Sequence, residues 1–257
     1  MTTLWWGFLA SLVAGLGTGV GALPALLPIN LTERIQGILL GLGGGIMLAA
    51  TSFSLIVPGT EAAAQQGAST AQAALIMVAG LLLGGAALWV AHNNFPHEHF
   101  FKGKEGPDRQ TLAQIWLFII AITLHNFPEG LAVGVGFGAG DTSAGLTLAA
   151  GIGLQNIPEG LVVALALRNL GYSARYALGI STLTGLVEPI GGLTGAGVVS
   201  IAQPLLPWGM AFAAGAMLFI IVDEIIPEID QKGSEQEGTL GVMVGFVTMM
   251  FLDIALG

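Results

Sequence analysis

The sequence predicts an all-α membrane protein that crosses the bilayer eight times, and three observations support this. The chain of 257 residues is 54% hydrophobic and only 9% charged, whereas soluble domains carry about 25% charged residues. Its mean hydropathy is +0.81, and its 40 glycines suit transmembrane helices that pack closely. Apolar stretches of about 20 residues, long enough to cross the hydrocarbon core, recur along the chain.

The predicted spans follow one another with mostly short connections. The first begins at Trp5 and Trp6, which are typical interfacial anchors, and it lacks the basic start of a cleavable signal peptide. The longest connection is a polar loop, 93–112. Within one transmembrane domain, 1–257, the predicted spans are 4–26, 35–57, 71–92, 113–137, 146–167, 175–200, 207–228 and 239–256.

The basic residues predict the orientation of these spans. All seven lysines and arginines fall in the connections after the first, third, fifth and seventh spans. Such loops lie in the cytoplasm by the positive-inside rule, so both termini are expected outside. The residues concerned are Arg34, Lys102, Lys104, Arg109, Arg168, Arg175 and Lys232.

Two copies of one polar hexapeptide lie inside predicted spans. They are His125-Asn-Phe-Pro-Glu-Gly130 and Gln155-Asn-Ile-Pro-Glu-Gly160. Residues four apart share a helix face, so the first residue and the glutamate of each copy project together. Each proline also frees a backbone carbonyl one turn earlier, and such a carbonyl can face a cation inside a bundle.

Three glutamates lie near the middle of their spans: Glu129, Glu159 and Glu188. Each costs roughly 2.5–3.5 kcal/mol there, so protons or a cation must compensate them. With Met47 also central, the imidazole, carboxylate, carboxamide and thioether groups suit Zn²⁺ and its neighbours better than Mg²⁺ or Ca²⁺. Helix packing alone can explain a single proline or amide inside a span. It does not require a glutamate at the same position of both hexapeptides. One divalent ion and two bridged ions both remain open, and the absence of cysteine excludes thiolate ligands.

These residues resemble the ZIP family of divalent metal transporters, and within it the bacterial GufA-type branch. The similarity rests on the paired hexapeptides, on Glu188-Pro189 and on Pro96-His-Glu-His-Phe-Phe-Lys-Gly103, and it covers nearly the whole chain. The resemblance implies two outer triplets of helices, related as inverted repeats around a central pair, in a 3+2+3 arrangement. It further implies import of Zn²⁺, with Cd²⁺, Fe²⁺ and Mn²⁺ as other cargo, across a bacterial inner membrane, with no enzymatic activity.

The resemblance also implies a binuclear site between the second, fourth, fifth and sixth spans. The first position would use Met47, His125, Glu129, Gln155, Glu159 and Glu188, and the second Asn126, Asn156 and the shared glutamates. Two residues depart from the family pattern. Gln155 stands where many relatives have His, which predicts broader selectivity and lower affinity. Asn156 stands where some have Asp, which removes a charge from the second position.

Other residues are predicted to line the path of the ion. Ser54 and Glu61 follow Met47 at seven-residue steps toward the outside, and Asp223 and Glu224 lie on the cytoplasmic side. Apolar residues outward of the site form a predicted outer gate, and two histidines of the loop are candidate cytoplasmic metal contacts. The gate residues are Ala50, Leu148, Ile152 and Met217, and the histidines are His97 and His99.

Two other functions stay open. A proton- or sodium-coupled exchanger could use the buried glutamates as proton relays and His125 as the switch. An intramembrane metallohydrolase would need an open coordination position and a general base, and the His-Glu-x-x-His signature is absent. The expected partners are divalent metal ions and the lipid bilayer, without nucleic acid, and a homodimer is left open.

Overall fold

Every regular element that the structure describes is helical. The computed structural model describes residues 3–27, 32–94, 126–137, 142–169, 172–231 and 235–256, and these ranges contain helices and no strand. The helices are α1 (Thr3–Ala22), α2 (Glu33–Ala49), α3 (Val57–Gln65), α4 (Thr70–Asn94), α5 (126–136), α6 (Thr142–Asn169), α7 (Ala174–Gly185), α8 (Glu188–Ile201), α9 (Leu206–Ile220), α10 (Ile226–Gln231) and α11 (Glu235–Leu256).

Within the described ranges, seven helical stretches are long and apolar enough to cross a membrane. Each corresponds to one predicted span. The remaining predicted span, 113–137, lies outside the described residues up to position 125, so the count of eight stays a prediction. The seven stretches are Thr3–Leu26, Arg34–Gln65, Thr70–Val90, Thr142–Leu165, Ala174–Ile201, Gln203–Asp223 and Glu235–Ala255.

The helix of the second predicted span, 35–57, continues past residue 57 to Gln65. Ala50–Ile56 forms a π-helical stretch, and Pro58 follows in the first turn of α3, where its missing N–H is tolerated. The seventh span repeats this arrangement, with a π-helical stretch at Ile221–Ile225 followed by Pro227 in α10. Such π-helical turns occur frequently at functional sites.

Two other predicted boundaries also change. The sixth span, 175–200, is interrupted, because α7 ends at Gly185 and α8 begins at Glu188. The predicted loop 93–112 starts later than expected, since α4 continues to Asn94, and residues 95–112 lie outside the described part of the chain.

Helix packing leaves apolar side chains on the outside of the bundle. α1 packs against α6, α7 and α8, α2 packs along α11, and α4 packs along α9. The outer faces of α1, α4 and α11 expose large apolar residues such as Val13, Leu82 and Phe251. Together with the seven apolar helices that are long enough to cross a membrane, this exposed apolar surface indicates a multi-pass membrane protein.

An ion pair shows that α2 and α11 begin on the same side of the bundle. Arg34 at the start of α2 lies 3.3 Å from Glu237 at the start of α11, measured from Nε to Oε1. The two helices therefore begin on the same side of the bundle. This is the side to which the basic residues assign the cytoplasm, and the assignment itself stays a prediction.

Candidate metal site between the helices

Buried polar side chains connect α5, α6 and α8 at the centre of the bundle. Glu129, Gln155, Asn156 and Glu188 are all buried, and buried groups of this kind require partners. The Nε2 atom of Gln155 donates a hydrogen bond to Oε1 of Glu129. The Nδ2 atom of Asn156 donates to Oε1 of Glu188 at 2.6 Å. Each of the two neighbouring amides on α6 thus holds a glutamate from a different helix.

The third predicted glutamate, Glu159, lies next to this set. It is half-buried on α6, three residues after Asn156. That the three acids converge on one space stays a prediction. Carboxylates brought close together repel one another, and a cation between them would relieve that repulsion.

A small cavity adjoins Glu159. Its volume is about 50 Å³, and Met47, Gln155 and Glu159 form part of its wall. The cavity extends from these residues toward Leu39 of α2 and Val162 of α6, which is the side on which α2 begins and α6 ends. The sulfur ligand predicted on α2 and two predicted ligands on α6 therefore border one space.

The last glycine of each hexapeptide lets its helix approach another helix closely. A Cβ atom at Gly130 would collide with the backbone carbonyl of Glu188 on α8, and a Cβ at Gly160 would collide with that of Thr18 on α1. Only glycine, which has no Cβ, permits such backbone contact. The two motifs therefore contain both the predicted ligands and the packing contacts that position them.

Helix α1 contributes to the site although no sequence argument identified it. Nδ2 of Asn156 donates a second hydrogen bond to the backbone carbonyl of Ala14 at 2.8 Å, and the side chain of Thr18 is buried. The available signal was the glycine at every second position from Gly15 to Gly21, which indicates a helix that packs against others by its backbone.

Some of the predicted ligands cannot be compared with the structure. His125, His97 and His99 lie outside the described residues, as does the side chain of Glu224. Among the described residues, no group of three or more His, Cys, Asp or Glu side chains is placed to hold a metal ion. Glu129 and Glu188 instead each direct one oxygen toward a carboxamide N–H. Asn126 is buried, and its amide has no hydrogen-bond partner within the described part of the chain.

The four residues of the predicted outer gate are packed together. Ala50, Leu148, Ile152 and Met217 are each at most 1% exposed, and all belong to one apolar cluster that also includes Met47. A cluster of this kind excludes water and hydrated ions. That it opens and closes stays a prediction.

The predicted path residues occupy different environments. Ser54 donates a hydrogen bond to Oδ1 of Asp253 at 2.7 Å, Glu61 is exposed, and Asp223 is half-buried within the second π-helical stretch. Asp253, an acid inside the last apolar span, was not among the predicted path residues. Its position in that span was a sufficient signal.

Comparisons with known proteins give matches over most of the chain. A family model described as ZIP Zinc transporter matches residues 90–253. The chain belongs to the ZIP family. This ZIP protein is 51% identical over 251 residues to the zinc transporter GufA of Myxococcus xanthus, with 98% of this chain and 99% of the relative covered.

Two further relatives are more distant. The protein is 44% identical over 241 residues to the zinc transporter ZIPB of Bordetella bronchiseptica, with 93% of this chain and 78% of the relative covered. It is 35% identical over 306 residues to the zinc transporter ZIP11 of Homo sapiens, with 88% of this chain and 90% of the relative covered. The predicted family and its GufA-type branch are confirmed. ZIP proteins are transporters, and this one is not an enzyme.

Proposed function

We propose that this protein carries Zn²⁺ into the cytoplasm through a site between α2, α5, α6 and α8. The observation that supports this most strongly is the buried set of Glu129, Gln155, Asn156 and Glu188, which are hydrogen-bonded across three helices. Ionisable groups inside a membrane mark an ion pathway in most cases. The relatives that align with almost the whole chain are named zinc transporters, which supports zinc as the cargo.

The proposed zinc ligands combine one sulfur, one imidazole and several oxygens. Met47, Gln155 and Glu159 border the same cavity, and Gln155 is hydrogen-bonded to Glu129, which supports a common site. This mixture is typical of zinc and its neighbours, so Cd²⁺, Fe²⁺ and Mn²⁺ are further proposed cargo. The full set is Met47, His125, Glu129, Gln155, Glu159 and Glu188, with Asn126 and Asn156 at a second position.

We further propose eight spans in a 3+2+3 arrangement, with the outer triplets as inverted repeats and both termini outside. Reciprocal contacts support the repeat, because Gly130 meets the backbone of α8 as Gly160 meets that of α1. The second and seventh spans provide additional support, since each contains a π-helical stretch followed by a proline. The loop 93–112 would then face the cytoplasm, and the membrane would be a bacterial inner membrane.

The proposed path runs from the predicted outer side to the cytoplasm. The apolar cluster with Met217 closes the site on the outside, and the cavity beside Leu39 extends from it toward the inside. Ser54 and Glu61 would conduct the ion inward to the site. Asp223 and Glu224 would receive it, with His97 and His99 beyond them. An inside-negative potential favours inward movement by about 2.3 kcal/mol per charge per 100 mV, so import needs no nucleotide.

Uptake into proteoliposomes tests this function. Radiolabelled Zn²⁺, Cd²⁺, Mn²⁺ and Fe²⁺ would be offered to the unsubstituted protein and to Glu159→Ala. Glu235→Ala, at the exposed start of α11, is the matched control and should transport normally. We expect saturable zinc uptake that Glu159→Ala abolishes. Equal flux with Glu159→Ala would contradict the proposal, and metal-independent proton or sodium flux after chelation would favour the exchanger.

A further inference from the structure

An apolar groove lies between α1 and α6 on the outside of the bundle. Its volume is about 640 Å³, which is within the range of roughly 300–1,000 Å³ that is typical of ligand sites. All the residues that line it are apolar, and they include Val13, Val20, Ala150 and Ile157, whose side chains are exposed. The groove therefore opens onto the lipid-facing surface and suits a hydrocarbon chain.

The two helices that form the groove run parallel. A Cβ atom at Gly17 would collide with the carbonyl of Gly153, and a Cβ at Gly21 would collide with that of Ile157. Positions later in α1 thus meet positions later in α6. The end of the groove near Ile157 is therefore directed toward the C-terminal ends of both helices, on the side to which the basic residues assign the cytoplasm.

A positive charge follows the groove on the same face of α6. Arg168 comes 11 residues after Ile157, which is close to three turns of helix, so the two residues share a face. The helical rise over this interval is about 16 Å. One leaflet of the hydrocarbon core is about 15 Å deep, half of its total thickness. Arg168 therefore lies one leaflet's depth from the end of the groove.

The guanidinium of Arg168 has few partners within the protein. Among the described residues, no carboxylate lies within ion-pairing distance of it. A guanidinium has five N–H donors, and in the same part of the chain one of them meets an acceptor, the carbonyl of Tyr172 at 3.5 Å. The side chain is half-buried. Most of its hydrogen-bonding capacity is thus available to an anion from outside the protein.

We infer that the groove between α1 and α6 binds an anionic phospholipid of the cytoplasmic leaflet, with the lipid phosphate on Arg168 and one acyl chain in the groove. Basic sites between transmembrane helices on the cytoplasmic side bind anionic headgroups, and arginine forms charge-assisted hydrogen bonds with phosphate. The depth of one leaflet brings the chain from Arg168 to Ile157. This binding does not depend on the metal that the protein carries.

Lipid binding to the purified protein in detergent tests the inference. Phosphatidylglycerol and phosphatidylcholine with identical acyl chains would be titrated separately, without zinc, and the affinity for the first bound lipid measured by native mass spectrometry. We expect about tenfold tighter binding of phosphatidylglycerol, because a hydrogen bond to a charged group contributes at least this factor. Equal affinities would overturn the inference, and this comparison requires no variant.

Substitution of Arg168 tests the position of the phosphate. Arg168→Gln should lower the affinity for phosphatidylglycerol to that for phosphatidylcholine, because the cation is lost. Arg34→Gln is the matched control and should keep the full preference, since Arg34 already pairs with Glu237 on another pair of helices. A preference that survives Arg168→Gln, or one that disappears with Arg34→Gln, would overturn the assignment to this end of the groove.

Filling the groove tests the position of the acyl chain. Ala150→Phe places a ring in the groove from an exposed position, so the fold should tolerate it. It should weaken the binding of both lipids by about tenfold or more, because the buried contact area of the chain is lost. Leu82→Phe, at an exposed position of α4, is the control and should have no effect. Unchanged lipid binding by Ala150→Phe would contradict the inference.

Discussion

The helix pairs α5/α8 and α6/α1 have the same backbone contact but different side chains beside it. Gly130 of α5 lies against the carbonyl of Glu188, and Gly160 of α6 lies against the carbonyl of Thr18. The residue that supplies the carbonyl is an acid in the first pair and a threonine in the second. The packing is thus duplicated while the charge is present on one side alone.

A second set of contacts in the same two helix pairs also brings a glycine against a backbone carbonyl. Gly191 of α8 lies against the carbonyl of Phe127, and Gly21 of α1 lies against the carbonyl of Ile157. Phe127 and Ile157 occupy the same place in the two hexapeptides. These reciprocal contacts are what the proposed inverted repeat would produce, with different side chains beside the contact in each half.

The two π-helical spans show a similar difference. Ser54 lies four residues before Pro58, and Asp223 lies four residues before Pro227. Both are inside their π-helical stretches. Again the earlier half of the chain has a hydroxyl where the later half has a carboxylate. We interpret the shared features as framework and the acids as the part that interacts with the ion.

The largest expected effect comes from substituting the two residues that differ between the helix pairs, Glu188 and Thr18. Glu188→Gln should lower zinc uptake by about 100-fold or more, because it removes a proposed ligand and even outer-shell partners cost up to that amount. Thr18→Val should leave uptake nearly unchanged, because the Thr18 hydroxyl has no hydrogen-bond partner among the described residues. Initial rates in proteoliposomes measure both. Equal losses would show that the two halves do not differ in function.

The shared glycines should give equal effects on stability. Gly130→Ala and Gly160→Ala each place a methyl group against a backbone carbonyl, and overpacking of this kind costs about 1–3 kcal/mol. Gly179→Ala is the control, because nothing lies within 4 Å of its Cβ position and alanine favours helix by about 1 kcal/mol. Thermal unfolding in detergent should therefore show two destabilised variants and one that is unchanged or stabilised. A loss at one motif glycine alone would contradict the common framework.

The smallest expected effect concerns the π-helical spans. Asp223→Asn should lower uptake about fivefold, equivalent to about 1 kcal/mol, because the proposed release path loses a charge. Ser54→Ala should lower it less, since it removes only the hydrogen bond to Asp253. Uptake rates and zinc affinity should be measured together, and affinity should change little in either variant. A larger loss with Ser54→Ala would reverse the proposed roles of the two spans.

Features that are local in the sequence were predicted best. Gln155 and Glu159 lie one turn apart on a helix and border one cavity, and hydropathy located all seven described spans. The helix of the second span continues beyond residue 57, although proline normally interrupts a helix. Here a π-helical stretch precedes Pro58, and no residue pattern in the sequence indicated this stretch.

Contacts between distant helices could not be predicted from spacing. The bond from Asn156 to the carbonyl of Ala14 involves a backbone atom, which every residue possesses, so no residue type marks it. The reciprocal glycine contacts were not predicted for the same reason, because each one also involves a backbone carbonyl. The residues that supply these carbonyls, Thr18 and Glu188, are of different types, so the sequence shows no repeat at these positions. Asp253 was not predicted because the prediction for Ser54 used only its spacing from Met47 along one helix, and Asp253 lies on another helix.

The central claim is that a divalent ion lies among the glutamates of α5, α6 and α8 in the middle of the membrane. The most direct test is a crystal structure of the protein with zinc, in which anomalous scattering at the zinc edge locates the metal. The account predicts a peak about 2.0–2.2 Å from carboxylate oxygens of Glu129, Glu159 or Glu188. Zinc found only at the loops or the outer surface, with these three acids bound solely to amides, would contradict it.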